Sequence, residues 1–132
     1  MRNVIVRGVS DSGLAMHIEV GPHHLSGDEP VDKGGTDTGP EPHELMLAAL
    51  GTCTVMTLRL YAERKGWPLT NVRVDLTGGK AESHYAITRH VTIEGDLDAD
   101  QRQRLTDIAD RCPVSRTLTG QIVITTSEGS SH

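Results

Sequence analysis

Residues 39–67 read GPEPHELMLAALGTCTVMTLRLYAERKGW, and this stretch decides the fold. Pro40 and Pro42 hold the entry extended. From there to Gly66 the only Gly or Pro is Gly51, while Leu45, Met46, Leu47, Ala48, Ala49, Leu50, Val55, Met56, Leu58 and Leu60 are apolar. A helix apolar on nearly every face is predicted to be buried on nearly every face. The run has about the length of a bilayer span. However, Glu44, Arg59, Glu63, Arg64 and Lys65 crowd its ends and Thr52, Cys53, Thr54 and Thr57 its middle, which favours a core helix. Arg64 and Lys65 suit the negative end of the helix dipole. Gly66 is the expected C-cap, and Pro68 forbids continuation. Cys53 sits mid-helix.

The whole chain has 132 residues, the size of one domain. Its apolar fraction is 36%, with no Phe, one Trp and two Tyr. A core of Leu, Val, Ile, Ala and Met around one buried helix leaves little chain to wrap it, which predicts burial by a second subunit. Net charge is −5, without a basic patch, which argues against nucleic acid as partner. The first seven residues, MRNVIVR, are too short an apolar run for a signal peptide and read as a strand, so a cytoplasmic, non-membrane setting is expected. In that compartment two cysteines are more often free or redox-active than a structural disulfide.

Outward from the helix on its N-terminal side, residues 21–42 are rich in Gly, Pro, Asp and His and read as a long surface loop. His23 and His24 are adjacent, point apart, and make a poor metal pair. Before the loop, residues 3–9 and 14–20 alternate around Asp11-Ser12-Gly13, a β-hairpin signal. His17 falls on the hairpin's solvated face with Ala15 and Glu19.

On the C-terminal side, residues 69–76 read as a strand and Gly78-Gly79 as a turn. Residues 83–97 read as a longer strand whose alternation slips near residues 88–90, where a bulge is expected. Asp98/Gln101 or Asp100/Gln103 forms a capping box. Leu105, Ile108, Ala109 and Cys112 then recur at helical spacing. Pro113 starts a short helix over 113–118, so Cys112 stands at a helix N-terminus, where backbone N–H groups favour a thiolate. Residues 121–126 read as a last strand and 127–132 as a polar tail. Strands on both sides of a central helix define an α+β domain.

Cys53 and Cys112 are not a CxxC motif, and two cysteines do not make a zinc set. Free cysteines are among the most buried residue types, so two inert core thiols are one reading. An attacking and a resolving thiol, as peroxide reduction needs, are the other.

Several motifs resemble the OsmC/Ohr family, named for osmotically inducible protein C and organic hydroperoxide resistance protein. They are Gly34-Gly35-x-Asp37-x-Gly39-Pro40, then Pro42-His43-Glu44-Leu45, and Leu47-Ala48-Ala49-Leu50-Gly51-Thr52-Cys53-Thr54. Tyr61-Ala62-Glu63-Arg64-Lys65-Gly66-Trp67 and Arg111-Cys112-Pro113-Val114-Ser115-Arg116-Thr117-Leu118 complete the set. The similarity spans residues 14–126 and is nearest the OsmC-like branch. It implies a β-sheet wrapped around a long central helix in an intertwined homodimer, and reduction of organic hydroperoxides with a dithiol reductant. No cofactor and no metal are implied. By position, Cys53 is the peroxidatic residue and Cys112 the resolving one. Glu44 is the candidate for the carboxylate that supports the attacking thiol. In the hydroperoxide resistance branch that Glu stands one position earlier, where this chain has His43. The partner Arg is placed by the family in the N-terminal strands, which offer Arg2 and Arg7; Arg116 is a further cation. Where the family often has His, this chain has Ser115.

Two alternatives stand beside the peroxidase. One is a small-molecule binding protein on the same scaffold. The other is a structural dimer whose cysteines merely staple two helices.

Overall fold

The computed structural model describes residues 1–129. In chain order the strands are β1 (Val4–Gly8), β2 (Met16–Val20) and β3 (His23–Gly27), followed by a 3-10 turn at Val31–Lys33. Then come helix α1 (Pro42–Lys65), strands β4 (Leu69–Lys80) and β5 (Tyr85–Gly95), and helices α2 (Ala99–Ala109) and α3 (Pro113–Thr119). The α+β class is as expected. The chain packs as two compact units, the first Met1–Ala49 with Leu76–Thr88, the second Leu50–Asp75 with the chain from Arg89 onward.

In the first unit β1, β2 and β3 form an antiparallel sheet in that order. The predicted hairpin is β1–β2, in register Val6↔Ile18, with Gly13 at φ 89° in its turn. The expected loop over 21–42 is shorter than predicted, because β3 forms inside it. Its sequence HHLSG has no apolar alternation, and Leu25 is exposed. The ladder to β2 holds it instead, entered through Gly21 at φ 57°. Beyond β3 the glycine-rich loop closes on Asp28, whose carboxylate is almost fully buried. It accepts from the backbone N–H of Glu29, Thr36 and Thr38 and from the hydroxyls of Thr36 and Thr38. A Cβ on Gly35 would collide with the Glu29 carbonyl, so this glycine serves the loop's own closure.

α1 begins with a reciprocal cap. Glu41 N donates to Glu44 Oε1 (2.9 Å) and Glu44 N to Glu41 Oε1 (2.6 Å). It ends as predicted at Gly66, left-handed at φ 68°. Gly66 N–H bonds Glu63 C=O and Trp67 N–H bonds Ala62 C=O, a Schellman pair that satisfies two end carbonyls. The helix is long and apolar enough to cross a membrane by length and composition, with mean hydropathy 1.5, yet 28% of that window is buried. Burial differs from the expectation of all-round cover. The buried residues are Leu50, Gly51, Thr54, Leu58 and Ala62, mostly one stripe at i+4 spacing. Met56 and Leu60 are 60% and 57% exposed, because one chain supplies packing partners to a single face here.

In the second unit that stripe packs into a core of Leu58, Ala62, Val72, Leu97, Leu105, Ile108 and Ala109. β4 and β5 pair as a ribbon. The expected turn at Gly78-Gly79 is instead strand, and the chain reverses over 81–84, where Ala81 N–H bonds His84 C=O. Gly78 is needed for a different reason: a Cβ there would lie 2.6 Å from the Tyr85 hydroxyl. The expected bulge at 88–90 is also absent. β5 alternates without a break, with Ile87, Arg89, Val91 and Ile93 half-buried on one face. α2 opens with the capping box in its Asp98/Gln101 form. Arg102 ties its start to the strand end, donating to the carbonyls of Leu97, Ile93 and Gly95.

The predicted strand over 121–126 does not form. Residues 121–129 have no regular structure and are exposed, Val123 and Ile124 at 79% and 83%. A strand needs a neighbour to satisfy its backbone, and no other strand pairs with this segment among the described residues. Residues 130–132 of the predicted polar tail lie outside the described residues.

Candidate active site

The two cysteines, 59 positions apart in the sequence, meet in the second unit. Both are free thiols, Cys53 half-buried on α1 and Cys112 fully buried. The Cys53 side chain stands close enough to Cys112 to help lower its thiol. Local sequence explains each placement. Cys53 precedes Thr54 on the buried stripe of α1. Cys112 lies three residues past the end of α2 rather than on its apolar face, and Pro113 turns it into the N-cap of α3, as predicted. Its backbone is extended (φ −64°, ψ 146°), so Sγ folds back over the helix start and accepts from Ser115 N–H at 3.4 Å.

A cation completes the cluster. Arg89 comes from the inward face of β5, its side chain 13% exposed. Its Nη1 donates to Ser115 Oγ (2.8 Å) and Thr54 Oγ1 (3.0 Å) and lies 3.9 Å from Cys112 Sγ. Its Nη2 pairs with Asp110 Oδ1 at 2.9 Å.

Proton accounting fixes the direction of these bonds. A hydroxyl carries one proton. Thr54 gives its proton to the Leu50 carbonyl at 2.7 Å, so it receives the Arg89 N–H. Ser115 Oγ also receives Arg89, which leaves its own proton free to point at Cys112 Sγ, 3.0 Å away. Arg89 thus polarises a hydroxyl that donates to sulfur. Burial pushes the Cys112 thiol up. The Ser115 hydroxyl and N–H, together with Cys53, outweigh it and leave the thiol below its ordinary value. Two adjacent thiols, one biased toward thiolate, form a dithiol able to cycle through a disulfide.

Of the other predicted residues, Glu44, Arg2 and Arg7 belong to the first unit and Arg116 to the second. Glu44 is exposed in the first turn of α1, in the first unit, with its carboxylate on Glu41 N–H. With Glu41, His43, Leu47, Leu76 and Tyr85 it lines a shallow depression of about 370 Å³. The His43 ring stacks there on Tyr85, centroids 5.1 Å apart. Arg7 faces Glu19 on the neighbouring strand at 3.9 Å, and Arg2 packs against Gly21. Arg116 is exposed. Within the second unit the guanidinium that contacts Cys112 is that of Arg89, which sequence reasoning missed. One signal was available: Arg89 has the same parity as Ile87, Val91 and Ile93, a charge on an otherwise apolar strand face.

The sequence model of the OsmC-like protein family matches residues 35–127, and the chain belongs to that family. Solved structures share the fold at low identity. An OsmC-like protein from Mycoplasma pneumoniae superposes with a TM-score of 0.76 at 20% identity, covering 91% of this chain and 88% of that one. An organic hydroperoxide resistance protein from Legionella pneumophila gives 0.67 at 21%, covering 89% and 90%. The organic hydroperoxide resistance protein OhrB of Bacillus subtilis gives 0.64 at 23%, covering 91% of each chain. A comparison with curated protein sequences finds no match.

Proposed function

We propose that the protein is a cysteine-based thiol peroxidase for organic hydroperoxides. The observation that carries this reading is the closeness of two free thiols, with Ser115 and Arg89 arranged to favour thiolate at Cys112, the resolving one. The Cys53 thiolate attacks the outer oxygen of ROOH. The O–O bond breaks, ROH leaves after taking a proton, and Cys53 becomes a sulfenic acid. The Cys112 thiolate then attacks the Cys53 sulfur, forming the Cys53–Cys112 disulfide and releasing hydroxide, which is protonated to water. An external dithiol reduces this disulfide by exchange and is itself oxidised to a disulfide. Glu44 is the proposed carboxylate of the attacking site, supplied when the active assembly forms.

That assembly is a homodimer working in the cytoplasm, where a dithiol pool is available. Support comes from the apolar surface left open by one chain: Met56 and Leu60 on α1, Val4, Ile5 and Val6 on β1, and Ile122, Val123 and Ile124 without a strand partner. Large exposed apolar side chains on α1 and on β1 are surface for a second copy to cover.

The test is consumption of cumene and tert-butyl hydroperoxide, against hydrogen peroxide, with a dithiol reductant. Wild type should turn over organic peroxides, and Cys53→Ser should lose at least about 10³-fold. Full turnover in Cys53→Ser would sink the mechanism. The engaged state of Glu44 supports a second reading, a small-molecule binding protein on this scaffold. Absent turnover with a copurified apolar ligand in native mass spectrometry is its signature.

A further inference from the structure

We propose that His17, Glu19 and His24 form a binding site for a divalent transition-metal ion of the zinc class, independent of the thiol site. His17 and Glu19 stand two apart on β2 and therefore share one face of the sheet. Across the β2–β3 ladder Glu19 lies directly opposite His24, and His17 opposite Ser26. His17 Nε2 and His24 Nδ1 are 3.0 Å apart. One ligand atom from each of the three residues lies within 4.8 Å of the others. Zinc–nitrogen bonds of about 2.0–2.1 Å at a tetrahedral angle need ligand atoms about 3.3–3.4 Å apart. Small side-chain rotations on a fixed sheet bring all three to that spacing.

The chemistry also fits. Two imidazoles and one carboxylate suit zinc, nickel or copper rather than magnesium or calcium, which prefer all-oxygen cages. His17 and Glu19 are half-buried and His24 exposed, so three protein ligands leave the outward position open to water. His23 belongs to the opposite face and takes no part. The metal pair is thus formed across strands, not by the adjacent histidines. Among the described residues, Arg7 is the cation that pairs with the cluster, at 3.9 Å from Glu19 Oε2 with its side chain 60% exposed. That long ion pair yields to a directly coordinated divalent ion. The competing explanation is a plain His17–His24 hydrogen bond, which needs no metal.

The experiment is calorimetric titration of the chelator-treated full chain with Zn²⁺ alone, in a Cys53→Ser/Cys112→Ser background that removes thiol ligands. One saturable equivalent per chain is expected. His17→Ala, His24→Ala and Glu19→Gln should each weaken binding about tenfold or more, and His23→Ala should leave it unchanged. Equal weakening by His23→Ala and His24→Ala, or no saturable binding, overturns the site. Circular dichroism checks that the variants fold. Co²⁺ loaded into the unsubstituted sheet gives a readout that needs no sheet variant. Intense visible bands of four- or five-coordination are expected, and a weak hexa-aqua spectrum refutes the proposal.

Discussion

At Cys112 two effects oppose each other. Burial disfavours the charged thiolate, while Ser115 and its neighbours stabilise it, and the hydrogen bonds win. The Arg89 guanidinium decides this balance indirectly, because it fixes which way the Ser115 proton points. Arg89→Ala should therefore raise the Cys112 pKa and slow disulfide formation about tenfold, one pKa unit in the thiolate population. Ser115→Ala should act in the same direction. Both should move the pH profile of disulfide formation to higher pH, since a raised pKa postpones the thiolate. Stopped-flow rates against pH check this; an unchanged profile in both variants would show that the relay is idle. Arg89→Lys should not restore the rate, because an ammonium lacks the planar fork that reaches Ser115, Thr54 and Asp110 together.

Among the elements, corners and loops carry the identifiable polar energetics. Arg102 donates to three carbonyls at the turn from β5 into α2. Arg102→Ala removes the side-chain donor from all three carbonyls, of which that of Gly95 keeps the Leu97 N–H, and should cost about 2–3 kcal/mol in urea unfolding. Asp28 plays the matching part in the first unit. Its hydrogen bonds, that from the Thr38 hydroxyl above all, hold its carboxyl well below the usual carboxylate range. A depressed pKa contributes stability at pH above the unfolded-state value of about 3.9, and loses it as pH falls below that toward the folded value. Asp28→Asn should therefore melt lower than wild type at neutral pH, with the gap narrowing below about pH 4. A constant gap across that range would place the effect in packing rather than charge.

At the scale of the molecule, the open question is what covers the second face of α1. A helix with Met56 and Leu60 more than half exposed presents apolar surface that water does not favour. On the dimer reading, Leu60→Glu puts a charge into that surface, and light scattering should then report the mass of a single chain where wild type reports two. Identical masses for the two proteins would remove α1 from any interface. The exposed segment 121–126 belongs to the same question, since an apolar run that pairs with no strand among the described residues is ready to add to a sheet edge.

The sequence by itself determined what depends on neighbours a few positions away. The long helix from Pro42, its Gly66 cap, the Asp98/Gln101 box, the β1–β2 hairpin and Cys112 as a helix cap all follow from spacing and capping chemistry. The tertiary structure decided what depends on pairing at a distance. β3 exists because β2 offers it a ladder, and residues 121–126 stay irregular where no strand among the described residues pairs with them. Gly78 stays in strand with the Tyr85 ring packed where a side chain would be. Arg89 reaches the thiols, and His17 reaches His24, across strands and helices that no local pattern encodes. Periodicity reports which face a residue takes; only the folded chain determines which residue stands opposite.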